Sequence, residues 1–331
     1  MGSYVIRRII QAIPILIGIS ILIFGIVQLA PGSPVDRFRV PRVPPEQIEA
    51  LIRLYGLDRP VVEQYVAWIT AFFQIWRPEA WGYSFIDGRP VLSNIMERLP
   101  ATLLLMGSAL VVTIIFSVPI GILAAVKQYS WTDKIITTFA TIGYAIPSFL
   151  LAIYVLYFGG VVLREWTGAI LGGEGFGFPL FGRQSLGSDG NPLDLAYHLI
   201  LPVTALAIQS IAAFSRYLRA SMLDVMRQDY VRTAKAKGVS NSRVIGRHAL
   251  RNALIPLITL IGLSIPGLIA GAVITEAIFS YPGIGQLTIQ AIGQNDYPTI
   301  YATSMLVGVF VILGNLVADI LYGVVDPRIK Y

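Results

Sequence analysis

The chain has 331 residues, of which 55% are hydrophobic and only 13% charged, against about 25% charged in an ordinary soluble domain, and its mean hydropathy is +0.68. These values exclude an ordinary soluble globule and place most of the chain in lipid as a helix bundle. With no cysteine and only His198 and His248, it has no means to build a disulfide, a thiolate metal site or a Cys/His catalytic pair, so no metal, cofactor or catalytic site is expected on it.

A hydrocarbon core of about 30 Å needs about 20 mostly apolar residues in a helix. Six runs reach that length: Ile9 to Ala30, Ala101 to Val126, Ile135 to Leu163, Leu195 to Leu218, Ala253 to Ala277 and Ile300 to Tyr322. The first follows Arg7 and Arg8, as a signal sequence would. It is longer than a signal core, however, and ends in LAPGSP without a small-x-small cleavage site, so it is expected to stay as a span. Pro14, Pro119, Pro147, Pro256 and Pro266 lie within or at the edges of spans. Membrane helices tolerate proline there, as a hinge or as a simple kink.

Between the first two runs, the segment PPEQIEALIRLYGLDRPVVEQYVAWITAFFQIW repeats apolar residues at helical spacing: Ile48, Leu51 and Ile52, then Val62, Tyr65, Val66, Ile69, Phe72 and Phe73. Two amphipathic helices divided by a turn at Gly56 to Pro60 are expected. Trp68, Trp76 and Trp81 suit a membrane interface. The segment 164–194 is glycine-rich and without period, so it reads as an irregular loop.

Charge sets the orientation. With the N-terminus cytoplasmic, the inside segments (1–8, 127–134, about 219–252 and 323–331, with Arg216 and Asp319 at span ends) carry 15 Lys+Arg and 5 Asp+Glu. The outside segments carry the remaining 10 and 14, so +10 inside and −4 outside make the net +6. This follows the positive-inside rule and accounts for the basic pI of about 9.5 without nucleic acid. The expected organisation is therefore a cytoplasmic N-terminus and first helix over 1–30, an external segment over 31–100, and a transmembrane core over 101–331. That core includes an external loop at 164–194 and a cytoplasmic loop at 219–252.

The spans hold almost no ionisable group in their interiors; Asp319, Glu276 and His198 lie toward the ends. A proton- or sodium-coupled transporter usually keeps such groups at mid-membrane, so energy is expected to enter elsewhere. No G-x-x-x-x-G-K-[ST] occurs, and the glycine-rich GGEGFG at 172–177 reads as loop.

The cytoplasmic segment RASMLDVMRQDYVRTAKAKGVSNSRVIGRHALRNALIPL carries nine Lys+Arg with Arg216. Ser221 to Lys237 lacks Pro and Gly and stops at Gly238, a natural left-handed cap, and a second helix begins near Asn241 or Ser242. The result is a short surface helix that another protein could grip. Positive-inside bias alone, or contact with anionic lipid, would account for its charge equally.

The order of residues adds a resemblance. RTAKAKG, Arg232 to Gly238, resembles the cytoplasmic loop signature of membrane subunits of ABC importers, in which Glu-Ala-Ala precedes Gly by three residues. Arg232 and Thr233 replace the first two members, Ala234 and Gly238 keep their places, and Pro256 comes late, eighteen residues after Gly238. These departures look like the branch that imports dipeptides, oligopeptides and nickel. So do LAPGSP at Leu29 to Pro34, YGLDRP at Tyr55 to Pro60, RLPATL at Arg98 to Leu103, DYVRTAKAKG, RHALRNALIP, GAVITEAIFSYPGIGQL and DPR at Asp326 to Arg328. Ser33 departs from the aspartate common after Pro-Gly.

The resemblance implies a type I permease bundle with a cytoplasmic coupling helix made of Arg232, Thr233, Ala234, Lys235, Ala236, Lys237 and Gly238. It also implies the first of two related membrane subunits, two ATPase subunits that carry ATP and Mg, and an external solute-binding protein, all at the cytoplasmic membrane. The expected cargo is peptide, with nickel and oligosaccharides behind. Glu276, Tyr281, Pro282 and Gly283, in a short turn, are either an external gate or only a tight loop. Ser148, Ser264 and Gly271 are candidates for a wide path or for helix packing. Against the rival classes, no intramembrane charge favours a secondary transporter or channel, and His198 and His248 fall near opposite faces, where neither serves a serine nucleophile. No residue excludes an assembly scaffold.

Overall fold

The computed structural model describes residues 2–29, 35, 44–188 and 190–325, with side chains except at 2–5, 270–271 and 321–325. Most of LAPGSP, including Ser33, and the terminal DPR lie outside the described residues, as do the surroundings of Gly271. Among the described residues the chain is helical: α1 (Gly2–Leu29), α2 (Pro45–Leu54), α3 (Val61–Phe72), α4 (Val91–Val126), α5 (Trp131–Ala145), α6 (Ser148–Leu156), α7 (Leu163–Leu171), α8 (Pro192–Met226), α9 (Asp229–Ala236), α10 (Asn241–Arg243), α11 (Leu250–Ile278), α12 (Ile284–Gly293) and α13 (Tyr297–Val325). Six stretches are long and apolar enough to cross a membrane: Ile6–Leu29, Val91–Val126, Ser148–Leu171, Pro192–Met226, Asn241–Ile269 and Tyr297–Ile320.

The third span differs from expectation. The apolar run from Ile135 to Leu163 is broken at Ile146 and Pro147: Ile146 is extended (φ −74°, ψ 128°), as the residue before proline prefers, and α6 restarts at Ser148. The carbonyl of Ile146 accepts from the Gln209 amide of α8, which removes an orphan acceptor. The spanning stretch then runs through a π-turn at Tyr157–Val162 into α7, so the first eight residues of the expected loop 164–194 are helical. Pro14, Pro119, Pro202, Pro256 and Pro266 stay inside helices.

Within the loop 172–177, Gly175 and Gly177 are packing positions, whereas Gly172 is the left-handed cap of α7. A Cβ at Gly175 would lie 1.8 Å from the Arg164 carbonyl, and one at Gly177 would lie 2.5 Å from that of Gly160. Glycine alone lets this strand of backbone fold back on α7, where the Thr167 hydroxyl bonds the Phe176 carbonyl at 2.9 Å.

Contacts divide the chain into two units. The first comprises Met1–Thr102 and Pro282–Ile312. Here α2 and α3 form as expected, parted by Gly56 in the left-handed region (φ +64°). The aromatic residues are used inward more than expected. Trp68 packs between Phe24 and Tyr301, with ring centroids 5.9 and 5.0 Å away, and Trp81 stacks on Phe72 at 4.7 Å. Trp76 alone of the three is fully open, 73% exposed. Buried Asp296 precedes α13 and accepts from the Ser84 hydroxyl (2.6 Å), the Phe85 N–H (3.1 Å) and the Thr299 hydroxyl (2.8 Å), pinning the approach to α4 against the start of α13.

The second unit comprises Leu103–Tyr281 and Leu313–Tyr331. Its core joins α4, α8 and α11 through Ala125, Phe214, Leu218, Met222, Ala249, Ala253 and Leu257. Close approach needs small residues: a Cβ on Gly121 would lie 2.9 Å from Leu218, and one on Gly262 would lie 2.7 Å from Ala318. At the start of α5, Asp133 is 4% exposed and takes a bidentate bond from Arg219 of α8 (2.6 and 2.7 Å), with a further bond from the Tyr129 N–H at 2.9 Å. The Arg219 bond holds the Asp133 carboxyl below its ordinary value of 3.8, against the opposing pull of burial.

Because the native pKa is depressed, this pair contributes stability that is complete above the ordinary carboxylate value and is lost as pH falls through the native one. Asp133→Asn keeps the shape but leaves Arg219 without its counter-charge, and should lower stability by about 2–4 kcal/mol. Thermal unfolding of the detergent-solubilised protein at neutral pH is the check. An unchanged Tm would mean the pair is neutral.

Candidate coupling helix and external turn

At the end of α8 the chain turns through Arg227 and Gln228, the latter extended (φ −72°, ψ 150°), and re-enters helix at Asp229. The uninterrupted helix expected from Ser221 to Lys237 is therefore two pieces, with the break at Arg227 and Gln228. The second piece, α9, has Asp229 in its first turn and Lys235 in its last, the order that suits the helix dipole.

Gly238 closes α9 as expected. Its φ is +76°, its N–H bonds the Lys235 carbonyl at 3.0 Å, and the Val239 N–H bonds the Ala234 carbonyl at 3.2 Å, which is a Schellman cap. The following helix starts at Asn241 and passes through a π-turn at Val244–Ala249 into α11.

Two attachments fix α9 to its neighbours, and a third bond joins the two spans beside it. Val231 is 0% exposed and is the only buried residue of α9. The Asn252 amide of α11 donates to the Tyr230 hydroxyl at 2.7 Å. Beside the loop, the Ser221 hydroxyl of α8 donates to the Ala253 carbonyl of α11 at 3.1 Å. Arg232, Thr233, Lys235, Ala236, Lys237 and Gly238 are exposed and Ala234 is half-buried. Arg232 reaches Asp229 at 3.8 Å, but both side chains are largely in solvent, so this pair adds little. The seven predicted residues thus form one short, basic, solvent-facing bracket between the ends of two spans. Asp133, Arg219, Tyr230 and Asn252 were not singled out in the sequence; they act through contacts between helices far apart in the chain.

The turn expected to be external is divided between the two units. On one side Glu276 and Tyr281 are both fully buried, Ser280 takes φ +48°, and the Tyr281 N–H bonds the Glu276 carbonyl at 2.9 Å. The Gly182 N–H bonds the Phe279 carbonyl at 3.0 Å, which ties the loop after α7 to this end of α11. Burial pushes the Tyr281 phenol up to about 12, with neighbouring Arg183 opposing and Glu276 adding to the rise. On the other side Gly283 is extended and buried, and its carbonyl accepts from Leu287 N–H in the first turn of α12; Pro282 is half-buried. Of the path candidates, Ser148 is half-buried and the Ser264 hydroxyl bonds back to Ile261 at 2.7 Å within its own helix. His198 is buried, with Nδ1 2.9 Å from the Asp194 carbonyl one turn earlier.

Known proteins resemble this chain in sequence and in fold. The model of the binding-protein-dependent transport system inner membrane component matches residues 117–331, and that of the N-terminal part of such membrane components matches 1–106. The oligopeptide transport system permease protein AppB of Bacillus subtilis (strain 168) is 43% identical over 100% of both chains. The dipeptide transport system permease protein DppB of Escherichia coli (strain K12) is 37% identical over 100% of this chain and 99% of that one. Among solved structures, the MetNI methionine ABC transporter in an inward-facing conformation matches with a TM-score of 0.54 and 15% identity, over 72% of this chain and 98% of that one, a likeness of fold. Two family models that together take in almost every residue, and relatives matched from end to end, make this chain a member of the family of inner membrane components of binding-protein-dependent transport systems, the permeases of ABC importers.

Proposed function

We propose that the chain carries short peptides across the cytoplasmic membrane, as one of two homologous permease subunits driven by a pair of ATPase subunits and fed by an external solute-binding protein. The observation that carries the reading is α9: a basic helix, exposed on its outer face, buried at Val231, bonded to α11 through Tyr230 and Asn252, and lying beside the bond that joins α8 to α11. Peptide is supported by the printed functions of AppB and DppB, each matched over the whole chain. ATP and Mg bind on the partner ATPases, and this chain does no ATP chemistry. The charge balance of +10 and −4 supports cytoplasmic termini.

In this mechanism α9 sits in a groove of an ATPase subunit, and closure of the ATPase dimer on ATP displaces it. Since α9 is not a loose tether, the displacement passes to the ends of α8 and α11 and rocks the spans between inward-open and outward-open states. The Asp133–Arg219 bond carries the same motion to α5. The turn from Glu276 to Gly283 acts as the external gate, and the segments 31–100 and 164–194 receive the binding protein.

Two measurements test this reading. Gly238→Pro is incompatible with φ +76° and removes the N–H bonded to Lys235. It and the double charge reversal Arg232→Glu/Lys235→Glu should each cut ATP-driven peptide uptake in proteoliposomes by about tenfold or more, one contact of about 1.4 kcal/mol being enough for that factor. Uptake at the wild-type rate in both variants would sink the coupling assignment. For the gate, the chain's lack of cysteine allows a single Gly283→Cys probe. Its reaction with an impermeant maleimide added outside should accelerate when the ATPases are trapped with ATP, and a nucleotide-independent rate would remove the turn from the gate.

A further inference from the structure

Within the first unit, the contacts of α3 fix its depth beside two spans. The Tyr65 hydroxyl lies 2.8 Å from the hydroxyl of Ser20, which is 0% exposed and stands nine residues before Leu29, the end of α1. Nine residues of α-helix rise about 13 Å. The Trp68 ring packs between Phe24, five residues before Leu29, and Tyr301, four residues after the start of α13 at Tyr297, offsets of about 6–8 Å. The stretch Ile6–Leu29 has 24 residues and is about 36 Å long, so a hydrocarbon core of about 30 Å leaves about 3 Å of it beyond each boundary. The ring of Trp68 and the tip of Tyr65 therefore both lie below the boundary, and α3 runs where hydrocarbon begins.

The side of α3 turned away from these contacts is apolar and uncovered. Val62, Val66, Ile69 and Phe73 recur at i, i+4, i+7 and i+11, one stripe of a helix. Val62 is 72% exposed, Val66 49% and Phe73 60%, and Ile75 and Trp76 beyond them are open as well. From Gln64 to Trp76 the sequence has no Lys, Arg, His, Asp or Glu. The exposed Thr70 hydroxyl bonds the Val66 carbonyl at 2.7 Å, one turn back, and the Gln64 amide donates to the carbonyls of Leu57 and Arg59 at 3.2 and 2.8 Å. A hydroxyl satisfied within its own helix asks nothing of water. In contrast, α2 exposes Glu46, Glu49 and Arg53, the last 3.9 Å from Glu49, as a helix in water does.

An apolar stripe of this kind is covered by a partner or by lipid. Depth decides for lipid. At the same level the neighbouring α1 is open through Ile21, Leu22 and Ile26, so acyl chains that cover one helix reach the other. At the end of the stripe, Trp76 and the exposed Arg77 are the aromatic and cationic residues that suit headgroups. We propose that Val62, Val66, Ile69 and Phe73 lie among the acyl chains of the outer leaflet, with Trp76 and Arg77 at the headgroups, so that α3 is seated in the membrane interface. The water-facing part of the external segment that a binding protein meets is then α2. The choice of leaflet rests on the cytoplasmic termini proposed above; the depth does not.

The absence of cysteine from the sequence permits single probes. Val66→Cys, Phe73→Cys and, as the water-facing control, Glu49→Cys are each labelled with the environment-sensitive dye NBD in the permease assembled with its partner subunits. The complex is placed in phosphatidylcholine nanodiscs, with or without a nitroxide near the top of the acyl chain. The probes at positions 66 and 73 should emit to the blue of the probe at 49, lose most of their fluorescence to the nitroxide lipid and resist aqueous iodide. The probe at 49 should do the opposite. Assembly and basal ATP hydrolysis like those of the wild type establish that each variant is folded.

Iodide quenching at 66 and 73 with none from the nitroxide lipid would place the stripe in water, and protection from both quenchers would place a protein on it; either result overturns the proposal. The side is read separately. In spheroplasts an impermeant maleimide should label Glu49→Cys from outside. Failure to label would overturn the outer leaflet together with the cytoplasmic termini, whereas labelling at 49 combined with iodide quenching at 66 and 73 would overturn the lipid surface alone and leave the topology and the transport reading as they stand.

Discussion

A segment that crosses hydrocarbon must satisfy its backbone from within the protein, because lipid offers neither donors nor acceptors. At three departures from regular helix among the described residues, the freed backbone groups find partners within the chain. Where Pro147 ends α5, the freed Ile146 carbonyl is met by the Gln209 amide of α8. Where the chain folds back after α7, glycines bring backbone so close that Thr167 and Gly159 can bond the returning segment. Where α9 ends, the Lys235 and Ala234 carbonyls of its last turn are capped by the N–H groups of Gly238 and Val239. The irregular places thus have assigned partners, and it is these partners that join one helix to another.

The same bonds decide which parts move together. The α8–α11 contact is a buried apolar cluster from Phe214 to Leu257, reinforced by Ser221 to Ala253, and α9 is tied to it through Val231 and Tyr230. Asp133 and Arg219 add a charged bond to α5 with little exposure on the carboxylate side. Buried apolar side chains contribute about 1.5–3 kcal/mol each, and a charge-assisted bond a similar amount, so separating α9 from the spans costs more than displacing the group as a body. A force applied to α9 is therefore passed on rather than absorbed.

How much of this was legible in the sequence follows from the range of each signal. Spans are read from composition, so all six regions were found, and Gly238 was found because a left-handed cap has a local signature. The break at Pro147 was hidden because apolar residues continue on both sides of it, and hydropathy does not register a missing N–H. The stop at Arg227 and Gln228 carries neither proline nor glycine, and so looked like helix. Gly172 to Gly177 was read as loop and is loop; what the sequence did not show is that Gly175 and Gly177 pack against the Arg164 and Gly160 carbonyls. Asp133 with Arg219, and Asp296 with Ser84, are separated by 86 and 212 positions, beyond the reach of any local pattern. Trp68 and Trp81 have the composition of an interface belt, yet stacking on Phe24, Tyr301 and Phe72 uses them inward.

The short length of α9 sharpens its meaning. Eight residues are too few to hold a helix in water, since nucleation costs more than so few bonds return. Its conformation is held from one side, by Val231, by Tyr230 on Asn252, and by the cap at Gly238. The opposite side, with Arg232, Lys235, Ala236 and Lys237, contributes almost nothing to that support, the Arg232–Asp229 pair being largely solvated. A surface that the fold does not require and yet presents in a fixed conformation is what a docking element needs: its side chains are available to a partner, and binding does not have to order the backbone first. Structure and recognition are therefore divided between the two faces of one short helix, so that changes on the exposed face alter partner contact while the bracket remains in place.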